Sequence, residues 1–181
     1  MKEIKITQKE ENQRLDKFLF KYFNKAPKSF VYKMLRKKRI KLNGAKAQGN
    51  EIISDGDMLS MYLAEDTMDS FMEEKTVHKA ERHFGIVYED ENILIVTKPA
   101  GLLTHPESAK DRDTLIDQIL FYLNEKGEYV PNKEAAFTPA VCNRLDRNTG
   151  GMVIAGKNLQ SVQAVNKAIA EKKIQKFYIT M

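Results

Sequence analysis

The sequence predicts an α+β chain in two parts: a small helix-helix-sheet module, then a larger domain with a mixed or antiparallel sheet. Three patterns predict it. Leu15, Phe18, Leu19, Tyr22 and Phe23 recur at i, i+3, i+4, i+7 and i+8, the apolar face of a helix. Ile93-Leu94-Ile95-Val96 is a continuous apolar run of strand length. Beyond it the order reads strands, helix, strands, helix, strand, which is not a regular βαβ repeat.

Composition narrows the setting. The chain has 181 residues, 42% hydrophobic and 30% charged, the balance of a globular chain rather than a disordered one. No apolar run approaches the ~20 residues that cross a bilayer, and Met1-Lys2-Glu3-Ile4-Lys5 lacks the apolar core of a signal peptide. Cys142 is the single cysteine, so no intrachain disulfide and no multi-cysteine metal site are expected. With three scattered histidines a zinc site is not expected either, and the chain reads as cytoplasmic. The net charge of +5 is unevenly spread. Residues 1–63 carry 15 Lys/Arg against 7 Asp/Glu, whereas residues 76–181 carry 14 against 13. A positive field confined to the first third is the electrostatic footprint of a nucleic-acid binder, with a solvated basic surface as the alternative.

In the first module the periodicity predicts a helix from Arg14 to Phe23, ended by Pro27. Ser29 is a candidate N-cap for a second helix from Phe30 to about Lys38. That helix turns Phe30, Val31, Met34 and Leu35 inward, and carries Lys33, Arg36, Lys37 and Lys38 outward with Arg39 beyond. Short strands follow at Ile40-Lys41-Leu42, Ile52-Ile53 and Met58 to Leu63, separated by Asn43-Gly44 and Asp55-Gly56-Asp57 turns. Residues 64–77 are acidic, lack periodicity and read as a linker.

The second domain, 78–181, begins with strands at Ile86-Val87-Tyr88 and Ile93 to Val96, joined by a Glu89-Asp90-Glu91-Asn92 turn. Pro99 and Gly101 force a sharp path that leaves Lys98 at a strand end. A helix is predicted from Thr114 to about Asn124, with Asp113 as candidate N-cap. Residues 125–138 read as a loop. Ala140 to Cys142 and Met152 to Ala155 are apolar runs around the polar loop Asn143 to Gly151. A helix from Asn158 to about Lys172 places Leu159, Val162, Val165 and Ile169 inward, and Ile174 to Met181 favours a strand.

The polar loop is where chemistry is expected. Asp146 lies between Arg144 and Arg147, whose charge favours the ionised carboxylate. No second carboxylate or histidine stands in the loop to complete a metal site. An ionised, positioned carboxylate suits attack on an electrophilic carbon. A surface turn with Asp146 paired to an arginine is the competing reading.

Arg14-Leu15-Asp16-Lys17-Phe18-Leu19, Ser29, Arg39 to Gly44 and Asp55-Gly56-Asp57 together resemble the ribosomal S-four-like RNA-binding domain, over roughly residues 12–63. Val87 to Pro106, with Lys98-Pro99-Ala100-Gly101, resembles the opening of the RluA-type pseudouridine synthases. Asn143-Arg144-Leu145-Asp146-Arg147-Asn148-Thr149-Gly150-Gly151 resembles their signature His-Arg-Leu-Asp-x-x-Thr-Ser-Gly, and Lys176-Phe177-Tyr178 their Lys-x-Tyr motif. The motifs occur in the family's order over nearly the whole chain.

The resemblance implies an RNA pseudouridine synthase acting on structured RNA, most of all large-subunit ribosomal RNA, with transfer RNA as the other candidate. It implies Asp146 as the catalytic aspartate, Tyr178 packed on the target base, and Arg144 inserted where the flipped uridine leaves the RNA. Arg144 could instead orient Asp146 through an ion pair. Arg14, Lys33, Arg36, Lys37, Lys38, Arg39 and Lys41 are expected to face RNA. No cofactor, metal or membrane is implied. Lys98 and His105 are expected to be structural or RNA-facing, and Cys142 a small buried residue. Asn143 and Gly150 depart from the family's histidine and serine. Family members continue past the Tyr178 position with further strands, so the chain reads as the N-terminal part of the catalytic domain. A non-catalytic RNA-binding protein on the same scaffold, or a carboxylate-dependent glycosyl hydrolase, would be the alternatives.

Overall fold

A computed structural model describes residues 1–72, 76–108, 110–131 and 136–179. The chain forms two compact units: residues 1–76 with 130–138, and residues 77–129 with 139–181.

The first unit opens with β1 (Lys2–Lys5) and β2 (Gln13–Arg14), then α1 (Leu15–Tyr22) and α2 (Lys28–Arg36). β3 (Ile40–Leu42), β4 (Ala45–Lys46), β5 (Ile52–Ile53) and β6 (Met58–Met61) complete its sheets. Four strands pair in the order β1-β6-β3-β4, and β2 pairs with β5. All these pairings are antiparallel. The predicted face of α1 does the packing. Leu15, Phe18 and Leu19 are fully buried with Phe23, Val31, Ile40, Ile53, Leu59 and Met61. The β3–β4 turn has Asn43 and Gly44 both at positive φ, the conformation a two-residue hairpin needs. The Asn43 side chain also donates to Asp57 and accepts from the Met58 N–H, tying two turns together.

Three expectations are corrected in this unit. The second helix starts at Lys28 with Pro27 at the N-cap, so Ser29 lies inside its first turn. Proline has no N–H to leave unpaired there and its φ suits a helix entry. The helix ends at Arg36. Lys38 takes a left-handed φ of 58°, while Lys38 N–H and Arg39 N–H donate to Leu35 and Met34 carbonyls in a Schellman closure. The stretch read as lacking periodicity forms α3 (Glu65–Ser70), buries Met68 and sets Phe71 4.4 Å from Phe30. Glu73, Glu74 and Lys75 of that acidic stretch fall outside the described residues. This unit also takes in Ala136, whose N–H donates to the buried carboxylate of Glu10 at 2.6 Å.

The second unit contains β7 (Gly85–Glu89), β8 (Ile93–Lys98), α4 (Leu115–Glu125), β9 (Ala140–Val141), β10 (Gly151–Gly156) and α5 (Leu159–Ala170). Its sheet runs β7-β8-β10-β9 and every pairing is antiparallel. Leu94, Val96, Val153 and Ala155 point to one face and bury against Leu115, Ile119 and Leu123 of α4. Helix α4 is capped by Thr114 rather than Asp113. Asp117 accepts from both the N–H and the hydroxyl of Thr114, a capping box that leaves Asp113 outside at φ 57°. Asn158 caps α5 by accepting from the Ser161 N–H. Gly156 lets α5 close in, since a Cβ there would lie 2.5 Å from Val162. The inward set on α5 is fully buried only at Leu159; Val162, Val165 and Ile169 are half-buried.

The terminal strand expected from Ile174 is absent over the described residues 174–179, while Thr180 and Met181 lie outside them. Phe177 and Ile179 are 85% and 96% exposed. β-propensity reflects packing against neighbouring strands, and this segment has no ladder partner among the described residues.

Candidate functional site

Asp146 sits on the loop between β9 and β10, and its backbone is held from three directions. On the strand side, Cys142 N–H donates to the Ile154 carbonyl at 2.7 Å. Asn143 extends that ladder with its side chain, accepting from Ile154 N–H at 2.9 Å and donating to the Met152 carbonyl at 3.2 Å. Asparagine at this position therefore has a local reason: one amide supplies the donor and the acceptor that continue the pairing past β9.

From the second direction comes Thr104, which is buried. Its hydroxyl donates to the Leu145 carbonyl at 2.7 Å and accepts from the Leu145 N–H at 3.2 Å. Both peptide groups of the residue between Arg144 and Asp146 are thus fixed by one side chain. Leu145 itself packs on the core of the second unit.

The third direction is Lys98. Its side chain is 1% exposed, and its ammonium donates to the carbonyls of Leu102 at 2.6 Å, Pro99 at 3.0 Å and Arg147 at 3.1 Å. Burial pulls the Lys98 pKa down, and the negative charge of Asp146 opposes that pull. The same loops are stitched by Gly101 N–H to the Arg147 carbonyl at 2.8 Å and Arg147 Nε to the Gly101 carbonyl at 3.2 Å. Gly101 takes φ 90°, which its lack of a Cβ permits. Of the two roles expected for Lys98, burial leaves the structural one.

The side chains this scaffold presents are exposed. Arg144, Asp146 and Arg147 all reach solvent. The competing ion-paired turn is not formed, because no salt bridge joins Asp146 to Arg144 or Arg147 among the described residues. His105 reaches solvent, but the protein around its ring partly desolvates it, and this, followed by the nearby Arg144 charge, pushes its pKa below the usual histidine value. Cys142 is half-buried, with its thiol pushed up by burial. A Cβ on Gly150 would make ordinary contacts with Lys98 and Ala100 backbone, so serine would fit where glycine stands.

Beside the loop lies a cleft of about 530 Å³. Leu145, Thr149 and Met152 line it from the loop and β10, Ile169 from α5, and Phe177 and Tyr178 from the terminal segment. The structure therefore brings Tyr178, 62% exposed, to the cleft of the Asp146 loop, while Asp146 and Arg144 are not among the cleft's lining residues. Thr104 was not singled out from sequence. Its partner is 41 residues away, and nothing in Leu102-Leu103-Thr104-His105-Pro106 announces that pairing.

The basic set lies on the first unit. Lys33, Arg36, Lys37, Lys38 and Arg39 are exposed on or just after α2. Lys41 is half-buried, with its ammonium 5.1 Å from the centre of the Tyr62 ring. Arg14 is exposed and bonds to the buried Asp16 carboxylate through Nε at 3.1 Å and Nη2 at 2.8 Å. Hydrogen bonding from Arg14 draws the Asp16 pKa down against its burial. Among the described residues no group of His, Cys, Asp and Glu could hold a metal ion, and no helix is long and apolar enough to cross a membrane.

Known proteins match both units. Residues 13–59 match the S4 domain, and residues 92–181 match the RNA pseudouridylate synthase family. An uncharacterized RNA pseudouridine synthase of Mycoplasma capricolum is 33% identical, covering 97% of this chain and 57% of its own length. Ribosomal large subunit pseudouridine synthase C of Rickettsia bellii is 30% identical over 93% of this chain and 54% of its own. Ribosomal large subunit pseudouridine synthase D of Buchnera aphidicola is 30% identical over 92% and 49%. The chain spans about half the length of the curated relatives it matches. A crystal structure of a pseudouridylate synthase, 19% identical, aligns over 88% of this chain and 53% of its own at a TM-score of 0.29. With both signatures in order and relatives matched over more than nine-tenths of its length, the chain belongs to the RNA pseudouridylate synthase family and carries an S4 domain ahead of the family segment.

Proposed function

We propose that the protein containing this chain converts specific uridines of structured RNA to pseudouridine, in the cytoplasm, with large-subunit ribosomal RNA as substrate. The names of the Rickettsia and Buchnera relatives support that substrate. Residues 1–63 read the RNA, 64–77 link, and 78–181 supply the first part of the catalytic domain. The observation that carries the reading is the loop itself: Lys98, Thr104 and Asn143 fix its backbone while the Asp146 carboxylate stays exposed and unpaired by either flanking arginine.

The resemblance to the pseudouridine synthases supplies the chemistry for that arrangement. Asp146 is the nucleophile that assists breakage of the bond between ribose and uracil N1. The freed uracil turns and rejoins the ribose through carbon 5, and the bond that Asp146 makes to the uridine breaks again, returning the free carboxylate. The proton leaves carbon 5 and N1 ends protonated, so atoms balance without an oxidant, reductant or metal. Tyr178 packs on the target base from the adjoining cleft. Arg144 occupies the gap left in the RNA, offsetting a flipping cost of a few kcal/mol. The cationic set Arg14, Lys33, Arg36, Lys37, Lys38, Arg39 and Lys41 contributes salt-dependent phosphate attraction.

The test is Asp146→Asn in the whole protein, read by RNA binding and by pseudouridine content of ribosomal RNA. Binding is expected to persist and isomerisation to vanish. Isomerisation that persists would overturn the assignment of Asp146; isomerisation absent from the unmodified protein would favour an RNA-binding scaffold without catalysis.

A further inference from the structure

One aromatic side chain on the cationic helix serves neither the core nor the loop. Tyr32 is 48% exposed in the middle of α2, whose other apolar residues turn inward. Its ring is nonetheless held in place. The edge packs against Phe20 with centroids 5.6 Å apart and planes at 77°, and the hydroxyl donates to Asp16 Oδ2 at 3.3 Å. Arg14 Nη2 bonds to that same Oδ2 at 2.8 Å, so the tyrosine tip and the guanidinium meet at one buried carboxylate. Lys28 and Arg36 stand four residues before and after Tyr32, on the same line of the helix, and both are exposed. At 1.5 Å per residue they are about 12 Å apart along the axis.

The result is a fixed, half-open aromatic ring with a cation on either side along the helix and a third at its tip. A hydrophobic core has no use for an exposed ring in that position, and a phosphate-only surface has no use for an aromatic one. Proteins that take unpaired nucleotides combine these two elements, with aromatic rings for the bases and cations that track the backbone. We infer that Tyr32 is a stacking platform for one unstacked base of the RNA, with Lys28, Arg36 and Arg14 holding the adjoining phosphates. This rests on the reading of the first unit as an RNA binder and adds to it a subsite for a looped or single-stranded nucleotide. Asp16 is a positioning residue here: it holds the tyrosine tip and the arginine and does not itself meet RNA.

The experiment titrates the 181-residue chain against a fluorescein-labelled RNA hairpin with a single-stranded loop, and against a blunt RNA duplex of equal charge. Tyr32→Ala and Tyr32→Leu should each weaken hairpin binding about tenfold and leave duplex binding and the salt slope unchanged. Tyr32→Phe keeps the ring and should bind as the unmodified chain does. The chain contains no tryptophan, so Tyr32→Trp places one reporter at the site, and its fluorescence should be quenched by the hairpin and not by the duplex. Hairpin binding unchanged in Tyr32→Ala, with Arg36→Ala weaker, overturns the platform and leaves a purely cationic surface. Tyr32→Phe as weak as Tyr32→Ala also overturns it, assigning the effect to the hydroxyl and Asp16. Failure of the unmodified chain to bind either RNA refutes the RNA-binding reading itself, and the platform with it.

Discussion

The tripeptide Arg-Leu-Asp occurs twice, at Arg14-Leu15-Asp16 and Arg144-Leu145-Asp146, and the two copies are built in opposite ways. In the first the side chains hold one another. Asp16 is 2% exposed in the first turn of α1 and receives two bonds from Arg14 and one from Tyr32. In the second the backbone is held and the side chains are left open. Lys98 and Thr104 take the carbonyls of Arg147 and Leu145, and the carboxylate of Asp146 faces solvent. Identical residues therefore make a structural joint inside a helical pattern and a presented carboxylate between strands. What differs is which groups the rest of the chain chose to satisfy.

That contrast predicts where each copy breaks. The largest effect should come from the lysine under the second copy. Lys98→Met removes the ammonium donor from the Pro99 and Leu102 carbonyls and leaves the Arg147 carbonyl with the Gly101 N–H alone, partly offset by the burial the ammonium no longer suffers. A net loss of about 2–3 kcal/mol is expected in urea unfolding. An unchanged midpoint would show that the loop does not depend on the pin.

A third carboxylate, Glu89, is neither exposed like Asp146 nor served by a single cation like Asp16, since two lysines reach it. Burial alone would raise Glu89, but bonds from Lys126, Lys157 and Tyr122 hold its pKa down to about 2. A carboxylate depressed on folding stabilises fully above its unfolded value near 4.5, and loses that contribution as pH falls through about 2. Glu89→Gln should cost about 2 kcal/mol at pH 7 and flatten the acid limb of the stability curve between those values. A variant whose acid limb matches the unmodified chain would remove Glu89 from the account.

Within the pair itself, Asp16→Ala should lose about 1–2 kcal/mol, the worth of charged hydrogen bonds at a buried acceptor. Asp146→Ala should stay within about 0.5 kcal/mol, as for an exposed residue whose side chain has no hydrogen-bond or ion-pair partner among the described residues. Equal losses at the two positions would erase the distinction. One substitution in the first unit should be a gain. Lys38→Gly relieves a left-handed residue at the close of α2 and should add about 0.5–1 kcal/mol.

Much of this contrast was legible in the sequence, for identifiable reasons. Leu15, Phe18, Leu19 and Tyr22 put Asp16 on a helix, and the apolar runs at 140–142 and 152–155 put Asp146 between strands. Asn43-Gly44 specified its own turn through the φ values it tolerates. What escaped was pairing at long range. β1 carries one apolar residue, Ile4, and acquires its structure from β6, with Ile4 opposite Leu59. Thr104 and Leu145, or Lys98 and Arg147, are polar groups whose meaning exists only once the two loops are side by side. The terminal segment erred in the other direction: Phe177, Tyr178 and Ile179 have strand propensity, but propensity without a neighbouring strand orders nothing.

Under the proposed function the second copy, and not the first, carries chemistry. The most direct measurement is pseudouridine formed in ribosomal RNA by the whole protein carrying Asp146→Asn, beside the same protein carrying Asp16→Asn. No pseudouridine is expected from Asp146→Asn with the protein folded and RNA still bound, and turnover by Asp16→Asn is expected in proportion to its folded fraction. Pseudouridine formed by a folded Asp146→Asn protein would contradict it.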